Sequence, residues 1–285
     1  LLSVMDENGL TLVCNDRVLS FGTKTYVMGI LNVTPDSFSD GGKYTTIEKA
    51  VEQAMLMEQH GADMIDVGGE STRPGHIPVT AEEEIKRVVP VIKALKENAA
   101  AAISVDTFKA EVARMAVEAG ADIINDIWGA KHDPEIAKVA AEYGVPIILM
   151  HNRKNEDYHS IMDDMKKDLE ESIQIALDAG VTKEKIILDP GIGFAKSTKD
   201  NFVVMNNLEQ LTKMGYPLLL ATSRKRFIGS VLDIPAEERD NGTVATTCLG
   251  ITKGAQMVRV HNVRRNREAA QMMDAMLAEG GSFLG

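Results

Sequence analysis

The sequence predicts an α/β protein built as one (β/α)8 barrel of the TIM type, closed at its bottom by an N-terminal β-hairpin. Three observations predict it. The 285 residues fit one eight-fold barrel. Eight short aliphatic runs alternate with longer helical patterns. Each run is apolar almost throughout, as strands buried on both faces are, and strict alternation of apolar with polar residues is absent.

The elements follow in order. Leu10 to Phe21 reads as two short strands around Asn15 and Asp16, the bottom hairpin of residues 10–22. The eight runs are Tyr26 to Leu31, Met64 to Val67, Ala102 to Val105, Ile123 to Asn125, Pro146 to Met150, Ile186 to Leu188, Pro217 to Leu220 and Met257 to Val260. Between the first two, Thr46 to His60 carries apolar positions at Ile47, Ala50, Val51, Ala54 and Leu56, a helical spacing. Thr80 before Glu82, Glu83 and Glu84 reads as a helix cap with an acidic first turn. Gly61, Gly120, Gly144 and Gly180 stand where helices end. A doubly wound open sheet would also alternate strand and helix, but eight consecutive units without a long interruption favour closure. No low-complexity stretch or linker interrupts residues 1–285, so they read as a single barrel domain. The Ala- and Met-rich faces of Ala236 to Lys253 and Arg265 to Leu277 read as core rather than interface.

Composition excludes several classes. A hydrophobic share of 44% allows a sizeable core. No run approaches the roughly 20 apolar residues that span a bilayer. Leu1 to Gly9 carries Asp6 and Glu7 and no basic region, unlike a secretory signal. The chain does not begin with Met, so its N-terminus is expected to be cut or processed. Cys14 and Cys248 are too few and too far apart for a disulfide scaffold and read as reduced thiols. A net charge of −11 disfavours nucleic acid and anionic membrane as partners. The expectation is a cytoplasmic enzyme of small molecules. An anionic substrate would require basic residues gathered locally.

Residues just after barrel strands face the active site. Here every strand end carries a polar or charged group: Asn32, Asp66 with Thr72 and Arg73, Asp106, Asn125 with Asp126, His151, Asp189, Ser223 to Arg226, and Arg259 with His261. A single Asp in such a place is usually a cap or turn former, a lone Arg a surface residue, a Gly-rich turn only a turn. Asp126 and Ser223 taken singly read that way. Eight populated ends together read as a site. Asp106, Asn125, Asp189 and Lys225 offer mixed donors and acceptors suited to a flat heterocycle, and Met150 and Phe194 suit its faces. Arg73, Arg259 and His261, with the hydroxyl of Thr72, suit a phosphate group. Asn32 offers a hard oxygen for Mg²⁺ carried on a diphosphate. The loops after the first two strands, with Gly41, Gly42 and Gly75 as hinges, read as lids or as ordinary surface loops.

These residues also carry a resemblance. "MGILNVTPDSFSDGG" (Met28 to Gly42) and "DVGGESTRPG" (Asp66 to Gly75) resemble the two signature segments of the dihydropteroate synthases. "SVDT", "INDIWG", "ILDPGIGFAK", "TSRKRFIG" and "VRVHNV" match that family's later segments in order, so the resemblance covers nearly the whole chain. It implies a transferase of folate synthesis. Such an enzyme joins 6-hydroxymethyl-7,8-dihydropterin diphosphate to 4-aminobenzoate with the help of Mg²⁺. By resemblance, Asp106, Asn125, Ile127, Met150, Asp189, Phe194 and Lys225 bind the pterin, with Asp106, Asp189 and Lys225 catalytic. Asn32, Thr72, Arg73, Arg259 and His261 serve the diphosphate, and Asn32 the metal. Phe38, Pro74, Phe194, Lys225 and Arg226 serve the aminobenzoate. The resemblance also implies a homodimer and sensitivity to sulfonamides.

Two positions depart from the family's commonest pattern. Arg226 stands where many members have Ser; it either approaches the aminobenzoate or faces solvent. Asn262 stands where Asp is expected, and is expected to bond His261 without adding charge. Two rival readings remain: a pterin-binding methyltransferase, which does not need the Thr72, Arg73, Arg259 and His261 set, and a non-catalytic pterin-binding barrel, which would have lost site residues.

Overall fold

The computed structural model describes residues 5–6, 9–14, 17–22, 24–34, 46–72 and 76–280. The expected site residues Phe38, Arg73 and Pro74 and the loop glycines Gly41, Gly42 and Gly75 lie outside them.

The N-terminal unit has one strand more than expected. β1 (Met5–Asp6), β2 (Gly9–Cys14) and β3 (Arg17–Ser20) form a three-stranded antiparallel sheet. Eight further strands form one parallel sheet. They are β4 (Tyr26–Asn32), β5 (Met64–Gly68), β6 (Ala102–Asp106), β7 (Ile123–Asp126), β8 (Ile147–Met150), β9 (Ile186–Asp189), β10 (Leu219–Leu220) and β11 (Met257–Val260). Each pairs with the next in sequence from β4 to β9, and β10 pairs with β11, which returns to β4. A parallel bridge between Leu188 and Leu218 joins the remaining edges and completes the ring. The barrel reading therefore holds over the open sheet.

Helices α1 (Thr46–Gln59), α2 (Ala81–Asn98), α3 (Ala110–Ala119), α4 (Glu135–Tyr143) and α5 (Ile161–Asp178) separate β4 to β9. After β9 come α6 (Thr198–Asn206) and α7 (Glu209–Thr212), after β10 α8 (Arg226–Leu232) and α9 (Asp240–Thr252), and after β11 α10 (Val263–Gly280). Thr80 caps α2, accepting from the Glu83 amide at 3.2 Å. The face that α1 buries is narrower than its pattern suggested. Ala50, Ala54 and Met57 are inside, while Ile47 and Leu56 are exposed. Small residues let that helix lie close on the sheet.

A stride of two along each strand builds the site. Val27, Leu31, Ile65, Val67, Ile103, Val105, Ile124, Ile147, Leu149, Ile186, Leu188, Val258 and Val260 pack outward against helices. The intervening residues point to the barrel axis. At the bottom, Tyr26, Met28, Met64, Ala102, Ile123, Ile148, Ile187, Leu219 and Met257 join Leu12, Cys14, Leu19 and Phe21 of the N-terminal sheet in a separate apolar plug. Two residues further along, the same inward rows carry Asp66, Ser104, Asn125, Met150, Asp189 and Arg259. Above these come Asn32, Gly68, Asp106 and His261. Apolar layers thus end where the polar layer begins. Asp126 falls on the outward row. Its carboxylate accepts from the Trp128 and Ala130 amides, each at 2.8 Å, so it is a turn former.

The Met-rich face of α10 differs from expectation. Met272 and Met276 are exposed, as is Leu249 on α9. They project from the side of the helices that faces away from the barrel, so no strand is available to cover them.

Candidate active site

Asp66 on β5 is fully buried and sits at the centre of the polar layer. Its Oδ2 accepts from Arg259 Nε at 2.7 Å and from Asn125 Nδ2 at 3.1 Å. Arg259 Nη2 donates to Asp106 Oδ2 at 3.3 Å. One guanidinium therefore lies between two carboxylates supplied by β5 and β6. Burial opposes the charge of Arg259, but Asp66 and Asp106 outweigh it, and its pKa rises. Burial, with the negative charge of Asp66 adding to it, pushes Asp106 up to about 8 despite the opposing pull of Arg259. Arg259 does not by itself keep Asp106 fully ionised.

Across the barrel, Asp189 accepts from the Gly191 amide at 2.8 Å. Burial raises its pKa, and Lys225 acts against that rise. Burial pulls Lys225 down to about 8, while Asp189 and Asp106 favour its charged form. Its Nζ donates to the Ile192 carbonyl and lies 5.1 Å from the centre of the Phe194 ring. Arg224 sets Lys225 in place. It holds a left-handed backbone (φ 57°), is tied to Asp240 by a two-pronged ion pair at 2.7 and 3.1 Å, and receives Arg239 on its carbonyl.

The structure therefore brings Asp106, Asn125, Asp189, Lys225 and Arg259 to one mouth, with Met150 buried at the end of β8 and Phe194 half-buried beside Lys225. Ile127, half-buried, follows β7. Asn32 is exposed at the rim, and Thr72 half-buried. Arg226 is exposed on the first turn of α8, on the solvent side of its two expected placements. His261 is half-buried; its Nδ1 and its backbone amide meet the Ser223 hydroxyl at 2.6 and 3.0 Å. Asn262 does not serve as that partner, contrary to expectation. Its side-chain Nδ2 donates to Asp240 Oδ2 at 2.9 Å, and its side-chain Oδ1 accepts from the Arg265 backbone amide at 3.2 Å. It faces away because β11 has just turned into α10.

Two strand-end residues to which sequence reasoning gave no role, Asp66 and Ser223, take part in the network. Asp66 was visible as an acid inside an apolar parallel strand, an environment that demands a partner. Ser223 was dismissed as a lone turn hydroxyl, and nothing in its neighbourhood announced His261. Asp66 Oδ1, Ser104 Oγ and Asn125 Oδ1 are buried and find no hydrogen-bond partner among the described residues. Unsatisfied polar atoms cost about 1–3 kcal/mol each, so three together at the floor of a cleft suit a ligand that offers N–H groups and acceptors.

Among the described residues, no cluster of three His, Cys, Asp or Glu side chains has metal-holding geometry. Asn32 Oδ1 and Asp106 Oδ2 both lie within 4 Å of the space beside Gly68. Two such oxygens fit Mg²⁺ only when substrate phosphates and water complete its shell.

Strand ends thus form a ring of polar side chains floored by paired acids, and the sequence model described as "Pterin binding enzyme" matches residues 28–261. The dihydropteroate synthase of Bacillus subtilis is 61% identical over 263 residues, covering 92% of each chain. That of Clostridium beijerinckii is 58% identical, covering 92% of this chain and 97% of its own. A Xanthomonas albilineans dihydropteroate synthase solved with 7,8-dihydropteroate superposes with a TM-score of 0.87 at 41% identity, over 94% of this chain and 99% of its own. The chain belongs to the dihydropteroate synthase family.

Proposed function

We propose that the chain condenses 6-hydroxymethyl-7,8-dihydropterin diphosphate with 4-aminobenzoate, giving 7,8-dihydropteroate and diphosphate in folate synthesis. The observation that carries this reading is the meeting of Asp66, Asp106, Asn125, Asp189, Lys225 and Arg259 in one cleft. Asp106, Asn125 and Asp189 present acceptors and an amide to the pterin edge, Lys225 lies beside it, and Met150, Phe194 and Ile127 supply apolar contact.

The C–O bond to diphosphate breaks first, leaving a pterin-methyl cation that the ring stabilises by resonance. A cation forming beside Asp106 draws down its raised pKa, so Asp106 and Asp189 favour that charge from fixed positions. The amine of 4-aminobenzoate then forms the C–N bond and releases a proton. It is uncharged at neutral pH and needs no strong base. Arg259 and His261, with Thr72 and Arg73, hold the departing diphosphate. Mg²⁺ supplies Lewis-acid stabilisation of that leaving group when bound, and Asn32 is its protein ligand. Phe38, Pro74, Phe194 and Lys225 form the aminobenzoate side, where sulfonamides would compete, and Arg226 stands outside it on the solvent face of α8.

No described helix is long and apolar enough to cross a membrane. Together with the acidic charge, this supports a cytoplasmic enzyme of small molecules without nucleic-acid partners. The exposed Met272, Met276 and Leu249 support a homodimer built on α9 and α10. The reaction is tested by following dihydropteroate formation from the two substrates. A protein that binds the pterin diphosphate yet forms no product is a binding protein, and one that transfers methyl groups from a folate belongs to the rival class.

A further inference from the structure

Behind the loop that follows β9 lies a chain of ionisable groups that the reaction does not touch, with Lys196 and His151 buried and Asp168, Arg153 and Tyr158 half-buried. Lys196 is 6% exposed. Its Nζ reaches three acceptors: His151 Nδ1 at 2.8 Å, the Gly191 carbonyl at 3.0 Å and the Phe194 carbonyl at 3.0 Å. His151 points outward from the end of β8, and its Nε2 meets Asp168 Oδ2 on α5 at 2.8 Å. Arg153 donates to the same carboxylate oxygen at 2.6 Å. Tyr158 donates to the Ala195 carbonyl at 2.7 Å.

The proton positions follow from this geometry. Burial holds His151 down to about 4, so its ring is neutral at pH 7. A neutral ring facing a carboxylate carries its proton on Nε2, which leaves the Nδ1 lone pair to accept from Lys196. An ammonium has three donors and no acceptor, and here it has three acceptors. A neutral amine would turn its own lone pair toward one of them. Burial pulls Lys196 down to about 7, against the favourable charges of Asp189 and Asp168. The environment therefore matches the charged form by hydrogen bonding while penalising it by desolvation.

The loop shows what this arrangement secures. Three of its carbonyls are held by this chain of groups, Gly191 and Phe194 by Lys196 and Ala195 by Tyr158. The Ile192 carbonyl, between two of them, instead accepts from Lys225. The backbone is in the left-handed region at Gly191, Gly193 and Ala195. A side chain at Gly191 would place Cβ 2.0 Å from the His151 carbonyl oxygen.

We propose that Lys196 is a positioning residue: oriented by His151 and Asp168, its ammonium clamps the Gly191 and Phe194 carbonyls and so fixes the Ile192 carbonyl and Phe194 ring against which Lys225 is held. The role rests on the assignment of Lys225 to the substrate site. It adds a layer outside that site, reaching from α5 through β8 to the β9 loop.

The test compares Lys196→Met, which keeps the length of the side chain and removes its donors, with Lys225→Ala. Steady-state kinetics are measured for both substrates, alongside the folded fraction. Misplacement by about 1 Å can cost roughly a hundredfold. Lys196→Met is expected to lose activity on that scale, with a raised KM for the pterin diphosphate at an unchanged folded fraction. Wild-type kinetics in Lys196→Met, or a kcat loss that only tracks folded fraction with KM unchanged, would overturn the proposal. Wild-type kinetics in Lys225→Ala would instead overturn the site assignment beneath it. If Lys196→Met does not fold, ¹⁵N spectra of the wild-type His151 ring, assigned with His151→Gln, decide the matter. Protonation at Nε2 with Nδ1 accepting supports the clamp, and protonation at Nδ1 removes it.

Discussion

Replacing Asp66 with asparagine takes one negative charge from the floor of the cleft while keeping the side chain's shape. Asp66 lies 2.7 Å from Arg259 Nε. At that distance the gross Coulomb attraction is about 6 kcal/mol for an effective dielectric near 20. Much of this is offset by the desolvation of both ions, and breaking a buried pair typically costs about 3–5 kcal/mol. Asparagine retains an oxygen that Arg259 can still reach, so about 3 kcal/mol is expected. For a chain of this size that corresponds to a fall in Tm of about 5 °C. A second effect has its own sign. The charge of Asp66 helps to hold the Asp106 proton, so Asp66→Asn moves the Asp106 pKa down from about 8 toward the ordinary carboxylate range. Thermal melts test the first effect, and calorimetric pterin binding from pH 6 to 9 tests the second. A variant that melts within a degree of wild type, with an unshifted pH profile, refutes the network.

Three further outcomes are expected. Gly191→Ala places a side chain at φ +68° and 2.0 Å from the His151 carbonyl oxygen, at a cost of about 3 kcal/mol or more, read as lost Tm or loss of soluble protein. Ser223→Ala strips His261 of the hydroxyl at its Nδ1; KM for the pterin diphosphate should rise about tenfold and KM for aminobenzoate should hardly move, as initial rates will show. Between pH 6.5 and about 4 the unfolded chain protonates His151 and the folded chain does not. Stability therefore falls as pH drops through that window, by up to about 3 kcal/mol from this group. Urea titrations should show a shallower decline in His151→Gln.

Strands were legible because parallel strands covered on both faces need unbroken Val, Ile and Leu, and few other elements tolerate such runs. The site was legible for a related reason: in a chain where strand middles are apolar, a polar residue at each end is conspicuous. Asp106, Asn125, Asp189, Lys225 and Arg259 were found on that ground. What stayed hidden depends on direction. Asp66 and Asp126 are both acids near the end of a strand, yet one faces the axis and the other a turn. Only the two-residue stride from Met64 and from Ile123 separates them. Pairings such as Ser223 with His261, or Asn262 with Asp240, join neighbouring loops whose relative placement no local pattern encodes. The Lys196 clamp was hidden for the same reason, since its partners come from β8, α5 and the β9 loop.

A crystal structure of the protein with bound pteroic acid tests the convergence of these strand ends most directly. The pterin ring is expected within hydrogen-bonding distance of Asp106, Asn125 and Asp189 at once, with Lys225 beside it. A ring lying elsewhere on the molecule, or touching only one of those three side chains, would contradict the assignment.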